Sequence, residues 1–114
     1  MADPLETTQL ALPYIAAAQA QKHVTHNEAL RMLDGIVQLA VEASAAMAPP
    51  GAPAAGARYL LGTSPTGVWS GQGGKLAVYA DGAWWFATPR TGWLAYDRGT
   101  DQLLVLKASG WTPV

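Results

Sequence analysis

The most informative pattern of apolar and polar positions lies between residues 25 and 46. Thr25 followed three residues later by Glu28 has the spacing of a capping box, in which each side chain accepts a backbone hydrogen bond from the other residue. At about 100° per residue, the following positions form a polar stripe and two adjacent apolar stripes on a helix. The polar stripe contains Arg31, Asp34, Gln38 and Glu42. We predict an amphipathic helix from about residue 27 to residue 46, ending before Pro49-Pro50.

The apolar surface of this helix is wider than a small monomer needs. It covers roughly 200° of the circumference, whereas one core-facing side needs about 100°. We therefore expect one side to pack on its own domain and the other on a neighbouring subunit. The expected oligomer contacts are Leu30, Met32, Leu33, Ile36, Val37, Leu39 and Val41.

The pattern changes to short strands separated by turns after Arg58. Residues 76–80 and 83–87 flank Asp81-Gly82, a dipeptide that suits the type I′ turn of a β-hairpin. Residues 92–96 and 102–106 predict a second hairpin. The predicted fold class is α+β: one long amphipathic helix followed by a Trp-rich antiparallel sheet, arranged as a meander of hairpins.

The length of 114 residues indicates a single domain. The sequence pattern divides it into four segments. Residues 1–13 contain two prolines and no helical period, which predicts an extended N-terminal arm. Residues 14–47 form the helical segment for oligomer contact. Residues 48–57, APPGAPAAGA, form a short connector of polyproline II character, and residues 58–114 form the antiparallel β domain.

Composition excludes several classes of protein and favours assembly. The chain has no cysteine, so disulfides and thiolate metal sites are excluded. A net charge of −1 with 13% charged residues argues against nucleic-acid binding. Apolar runs too short for a bilayer and an N-terminus unlike a signal peptide predict cytoplasmic synthesis and no membrane partner. The low charged fraction reflects either subunit contacts or the many alanines and glycines, and both explanations stay open.

No motif in the chain predicts catalysis. His23, His26 and Glu28 are the one cluster that resembles a metal site, but it straddles the predicted helix start and has no further histidine. We expect these side chains to form capping and interface hydrogen bonds. No nucleophile elbow, facing carboxylate pair or phosphate-binding loop is present. We therefore expect no enzyme activity, no cofactor and no metal.

The five tryptophans all lie in the β half, and two of them are adjacent. Because neighbouring strand residues point to opposite faces, Trp84 and Trp85 cannot both enter a one-sided core. Three interpretations remain open. The first is a subunit interface, the second a strand buried on both faces. The third is a sugar-stacking site, in which the two tryptophans are joined by Tyr79, Tyr96 and Gln102.

Three segments together carry a resemblance to a known family: QAQKHVTHNEALRMLDGIVQLAV, ARYLLG, and TGVWSGQGGKLAVYADGAWWF followed by TGW. They closely resemble a small domain of unknown function that occurs in bacteriophage and prophage virion proteins and in the gene transfer agents of alphaproteobacteria. The similarity runs from about Leu12 to Trp111. In phages the domain is often attached to longer tail-fibre or spike sequences. Here it stands almost alone, which resembles the head-spike component of a gene transfer agent.

The resemblance implies a structural protein on the surface of a phage-like particle. It would be an oligomeric head-spike base on capsid vertices that supports adsorption to the recipient cell's capsular polysaccharide. The implied partners are other copies of the chain (a pentamer favoured over a trimer), the capsid protein and a spike fibre protein. The alternative is a carbohydrate-binding module, or a tail-fibre or tail-spike component, that contacts surface polysaccharide directly. The resemblance implies no catalytic or ligand residues.

Overall fold

The structure, a computed structural model, describes residues 6–14 and 22–114. Helix α1 spans Lys22–Ile36 and ends well before the predicted end at residue 46. The Val37 N–H still donates to the Leu33 carbonyl at 2.9 Å. Gln38 then adopts a φ of 53°, a left-handed conformation that commonly ends helices. At the other end, the helix already includes Lys22, so Thr25 lies inside it and is not the predicted N-cap.

The apolar residues that follow Gln38 belong to strands, which corrects the long-helix prediction. Leu39 and Val41 are 6% and 0% exposed, and they alternate with the more exposed Ala40 and Glu42. Burial at every second residue is the period of a strand, and the chain forms β1 (Ala40–Val41) and β2 (Ala43–Ala46) here. Leu39 and Val41 are therefore core residues of the β structure and not part of a helical contact surface.

The α+β fold class predicted from the sequence is wrong. The described part of the chain contains one helix of 15 residues and eight short strands in two four-stranded mixed sheets, so the protein is mostly β. It divides into two compact units, residues 1–37 and residues 38–114. Both sheets belong to the second unit.

The first sheet, called sheet A here, has the strand order β2-β3-β4-β5. Its further strands are β3 (Arg58–Leu61), β4 (Leu76–Ala80) and β5 (Ala83–Ala87). β2 pairs with β3 in parallel, and the other pairs are antiparallel. The predicted β4–β5 hairpin is confirmed. Asp81 and Gly82 have φ values of 53° and 82°, which a type I′ turn requires.

The second sheet, called sheet B here, has the strand order β1-β6-β7-β8. It adds β6 (Leu94–Asp97), β7 (Gln102–Lys107) and β8 (Gly110–Pro113). The predicted hairpin between β6 and β7 is confirmed, and β8 continues it in antiparallel order. β1 pairs with β6 in parallel. The hairpins are thus divided between two sheets and do not form one meander.

A single seven-residue segment, 40–46, supplies an edge strand to both sheets. Only Glu42 separates β1 from β2, and its N–H donates to the Arg58 carbonyl at 2.7 Å. On the sheet B side, the Arg98 N–H donates to the Val41 carbonyl at 2.9 Å. The chain therefore passes from one sheet to the other within one residue.

Residues 6–13, within the predicted extended arm, double back on themselves. Glu6 forms an antiparallel bridge with Pro13, and the Thr7 N–H donates to the Leu12 carbonyl at 3.0 Å. Asp34, placed on the polar stripe of the predicted helix, is only 4% exposed. Its carboxylate accepts hydrogen bonds from the Thr7 hydroxyl (2.7 Å) and from the N–H groups of Gln9 (2.8 Å) and Leu10 (2.6 Å). This carboxylate stabilises the turn formed by residues 6–13 because it satisfies three donors at once.

Candidate assembly surfaces

Helix α1 carries exposed apolar side chains in the set predicted to contact other subunits. Met32 and Leu33 are each 50% exposed, and Val37, one residue beyond the helix, is also exposed. Leu30 and Ile36 are half-buried. Of the residues predicted to contact other subunits, Met32, Leu33 and Val37 are therefore exposed and available for contact. Leu39 and Val41 lie in the core and are not.

A second exposed apolar surface lies on one face of sheet B, called its outer face here. Leu94 pairs with Val105 and Tyr96 pairs with Leu103, so these four residues share a face. Leu94 is 54% exposed and Leu103 is 44% exposed. The solvent-facing side of an antiparallel sheet is ordinarily polar, and a contiguous exposed apolar patch commonly marks an interaction site.

The opposite face of sheet B belongs to the core. Ala95 and Leu104 pair with each other and are almost fully buried, at 1% and 5% exposure. The sequence did not single out Leu103, because its strand β7 reads QLLVLK and places apolar residues on both faces. An alternating pattern would have distinguished the faces, and this strand lacks one.

The tryptophans of sheet A contribute to an aromatic cluster on one face. Trp69, in a 3₁₀ turn at Gly67–Trp69, is completely buried. Its ring lies 5.2 Å from those of Tyr59 and Trp84, and the Trp84 ring lies 5.1 Å from that of Tyr79. Tilted and edge-on geometries at these distances are favourable for aromatic rings. Burial, followed by the nearby negative charge of Glu42, raises the pKa of Tyr59, so this phenol stays neutral.

Trp85 points to the other face of sheet A, as the adjacent-residue argument predicts. It pairs with Val78, whereas Trp84 pairs with Tyr79, so the two indoles occupy opposite faces. Both are half-buried. The indole Nε1 of Trp85 is buried and has no hydrogen-bond partner among the described residues.

The residues proposed for sugar contact do not form one cluster. Tyr79 and Trp84 are neighbours on one face of sheet A, and Trp85 lies on the other face. Tyr96 and Gln102 belong to sheet B, where Tyr96 lies on the outer face and Gln102 pairs with Asp97. The largest subset that the structure brings into contact is therefore the Tyr79–Trp84 pair.

Asp97, at the end of β6, has a buried carboxylate in the β unit. It is 2% exposed and accepts hydrogen bonds from the Ser44 hydroxyl at 2.6 Å and from the Gly99 N–H at 2.8 Å. Burial alone would raise its pKa, but the hydrogen bonds from Ser44, Gly99 and Thr100 outweigh burial and hold the pKa of Asp97 below its ordinary value. Because Ser44 lies in β2, this carboxylate links sheet B to sheet A.

The described residues contain no group of three or more His, Cys, Asp or Glu side chains that could hold a metal ion. His26 and Glu28 are exposed, and the side chain of His23 lies outside the described part of the chain. No helix in the described residues is long and apolar enough to cross a membrane.

These features define a mostly β domain with two sheets, a buried aromatic cluster and exposed apolar surfaces. Residues 26–112 match the family described as "Protein of unknown function (DUF2793)", and the chain belongs to this family. No curated protein and no solved structure matches the chain.

Proposed function

We propose that this chain is a structural, non-catalytic protein on the surface of a phage-like particle. Specifically, it forms a homo-oligomeric base of a head spike at the capsid vertices of a gene transfer agent and supports adsorption to capsular polysaccharide. The observation that carries this proposal is the exposed apolar outer face of sheet B. The resemblance of QAQKHVTHNEALR and the segments after it to virion proteins supplies the particle context.

The exposed apolar surface is costly to leave in water. Burying apolar area contributes about 25 cal/mol per Å², so a face such as that of Leu94 and Leu103 favours contact with another protein surface. A closed ring of copies uses the same contact repeatedly. Display of several copies at one vertex then strengthens individually weak contacts with a cell surface. A five-fold vertex favours a pentamer over a trimer, with the capsid protein and a fibre protein as neighbours.

Particles purified from the source bacterium test the location. We expect mass spectrometry to detect the chain in these particles and immunogold electron microscopy to label capsid vertices. A strain without the gene is expected to release intact particles that adsorb poorly to encapsulated recipients and equally well to recipients that lack capsule. Absence of the chain from particles would refute the proposal. Labelling of the tail would favour the tail-spike alternative.

Substitutions on the two exposed surfaces test the assembly role. Leu33→Asp on α1 and Leu103→Asp on sheet B place a charge where the single chain exposes the native side chain. We expect both variants to fold and to be incorporated poorly into particles, because an unpaired carboxylate is costly to bury at an interface. Ser64→Asp, at an exposed loop position, is the matched control and should be incorporated normally. Normal incorporation of both leucine variants would contradict the assembly role of these surfaces.

The second candidate function is direct binding of surface polysaccharide. Its supporting observation is the half-buried Tyr79–Trp84 pair, with ring centroids 5.1 Å apart, since aromatic rings can stack on sugars. Titration of purified capsular polysaccharide, followed by tryptophan fluorescence, tests it. Trp84→Ala should abolish binding while Trp85→Ala retains it, provided that circular dichroism shows both variants folded. Wild-type protein that shows no binding would remove this candidate.

A further inference from the structure

The two sheets end in strands with very different free edges. In the described residues, β5 is the last strand of sheet A and β8 is the last strand of sheet B. β8 contains Pro113, which has no N–H to offer, and proline is a common way to protect an edge. β5 has the sequence AWWFA, with no charge, no proline and no glycine. It therefore lacks the usual features that prevent an edge strand from pairing with another chain.

The hydrogen bonds of β4 establish which groups of β5 face outward. The Tyr79 N–H donates to the Ala57 carbonyl at 2.9 Å, so the backbone of Tyr79 points away from β5. The backbone N–H and carbonyl groups of successive strand residues point to opposite sides, so those of Val78 point toward β5. Val78 therefore forms the hydrogen bonds to β5, and its partner there is Trp85. The N–H and carbonyl groups of Trp84 and Phe86 then point to the free edge. Among the residues that the structure describes, none pairs with them.

This free edge is self-complementary. A two-fold axis through Trp85 would place Trp84 of one copy opposite Phe86 of the other, and the reverse. Each of these pairs can exchange both N–H···O bonds, with the two Trp85 residues facing each other as a non-hydrogen-bonded pair between them. Cross-strand aromatic pairs stabilise sheets, and the absence of charge leaves no like-charge repulsion in this register.

We propose that the β5 strands of two copies pair in antiparallel fashion about this axis and join two sheet A structures into one continuous sheet. The occupant is a second copy because the edge has the same order of groups and nearly the same side-chain sizes in both directions: Ala, aromatic, aromatic, aromatic, Ala. The contact belongs to the free chain in solution and does not depend on the proposed particle role. It also covers an edge that would otherwise template aggregation.

The number of chains in solution is the first test. Pairing about a two-fold axis gives an even number of chains, so light scattering should report an even multiple of the 11.9 kDa chain. Trp85→Lys places two positive charges opposite each other at the axis and should halve that mass. Trp85→Phe keeps an aromatic pair and should leave the mass unchanged. An odd number of chains in the wild type, including the pentamer of the proposed spike base, would overturn the β5 pairing and leave the proposed particle role standing. A Trp85→Lys variant of wild-type mass would also overturn the pairing.

Residue-resolved hydrogen exchange keeps the proposal testable if Trp85→Lys does not fold. In the wild type, the amides of Trp84 and Phe86 should exchange slowly at high protein concentration and faster on dilution. The Trp85 amide, bonded within the sheet, should be slow at every concentration. Fast exchange of Trp84 and Phe86 at all concentrations would refute the pairing. Slow exchange of Trp84 and Phe86 in a sample that light scattering shows to be monomeric would mean that the chain covers its own edge, and would also refute the pairing.

Discussion

Sheets A and B are built from the same kinds of short strands, yet they differ in how much apolar surface the chain itself covers. Sheet A is buried on both sides: Trp69 packs on one face, and Leu60 and Val78 are fully buried on the other. Sheet B buries Leu104 on one face and exposes Leu103 on the other. In the single chain, sheet A is thus covered on both faces and ends at the β5 edge, whereas sheet B leaves one face exposed.

Removal of the Trp69 side chain, which covers one face of sheet A, is expected to cause the largest loss of stability. Trp69→Ala deletes a completely buried side chain from the aromatic cluster on sheet A, which should lower the free energy of unfolding by about 3–5 kcal/mol. Urea denaturation at neutral pH measures this loss. Val68→Ala is the neighbouring control, because Val68 is 65% exposed and should change stability by less than about 0.5 kcal/mol. Equal losses for both variants would show that Trp69 does not cover sheet A.

Substitution of two adjacent leucines in β7, Leu103 and Leu104, compares the two faces of sheet B. Leu104→Ala should cost about 2–5 kcal/mol, because its side chain is buried in the core. Leu103→Ala removes the same atoms from the exposed outer face and should cost about 0.5 kcal/mol or less in the isolated chain. Chemical denaturation at low protein concentration gives both values. A large loss at Leu103 under these conditions would mean that the outer face is covered within the chain.

The hydrogen bond between Asp97 and Ser44, which links the two sheets, should make the stability of the fold depend on pH. The pKa of Asp97 is lowered from 3.8 by its hydrogen bonds, so its carboxylate stabilises the fold above the unfolded pKa. This contribution is lost as the pH falls through the lower folded pKa. The stability difference between wild type and Asp97→Asn should therefore be largest at pH 7 and shrink toward pH 2 in urea titrations. Asp101→Asn, in an exposed turn, is the control for loss of a carboxylate outside this hydrogen-bonded group. A constant difference across this range would contradict the assignment.

The smallest effect on stability is expected from the exposed ion pair between Arg98, which follows β6, and Glu42, which separates β1 from β2. Arg98 and Glu42 lie 3.2 Å apart, with side chains that are 56% and 40% exposed. Such pairs contribute between 0 and about 1 kcal/mol because water and salt screen them. Arg98→Ala should lower stability by less than about 0.5 kcal/mol, and 1 M salt should remove the difference. A loss as large as that of Asp97→Asn would show that the surface pair, rather than the buried carboxylate, joins the sheets.

The hairpins were predictable because their signals are local. A type I′ turn requires positive φ at two adjacent residues, and Asp81-Gly82 can adopt these angles without any distant contact. The helix end was not predictable in the same way. Val37, Leu39 and Val41 have the alternating spacing of a strand, yet each also falls on one of the two apolar stripes of the predicted helix. Only the pairing of this segment with β6 and β3 selects the strand.

The candidate surfaces depend on contacts that local patterns do not encode. Asp34 resembles any solvated helix carboxylate until the loop at Thr7, 27 residues away, folds onto it. Trp84 was identified as a contact residue by its neighbour Trp85, but its partner Trp69 lies in a loop with no strand period. The exposure of Leu103 is decided by tertiary packing, since both faces of its strand are apolar.

The segment 40–46 has a consequence for the order of events during synthesis. β2 can pair with β3 once residue 61 has been made, but β1 has to wait for residues 96–98. In a nascent chain, β1 therefore stays unpaired with sheet B until residues 96–98 have been translated. Such distant pairings slow folding. A stop codon before residue 96 would remove every partner that β1 has in sheet B, whereas the pairing of β2 with β3 would remain.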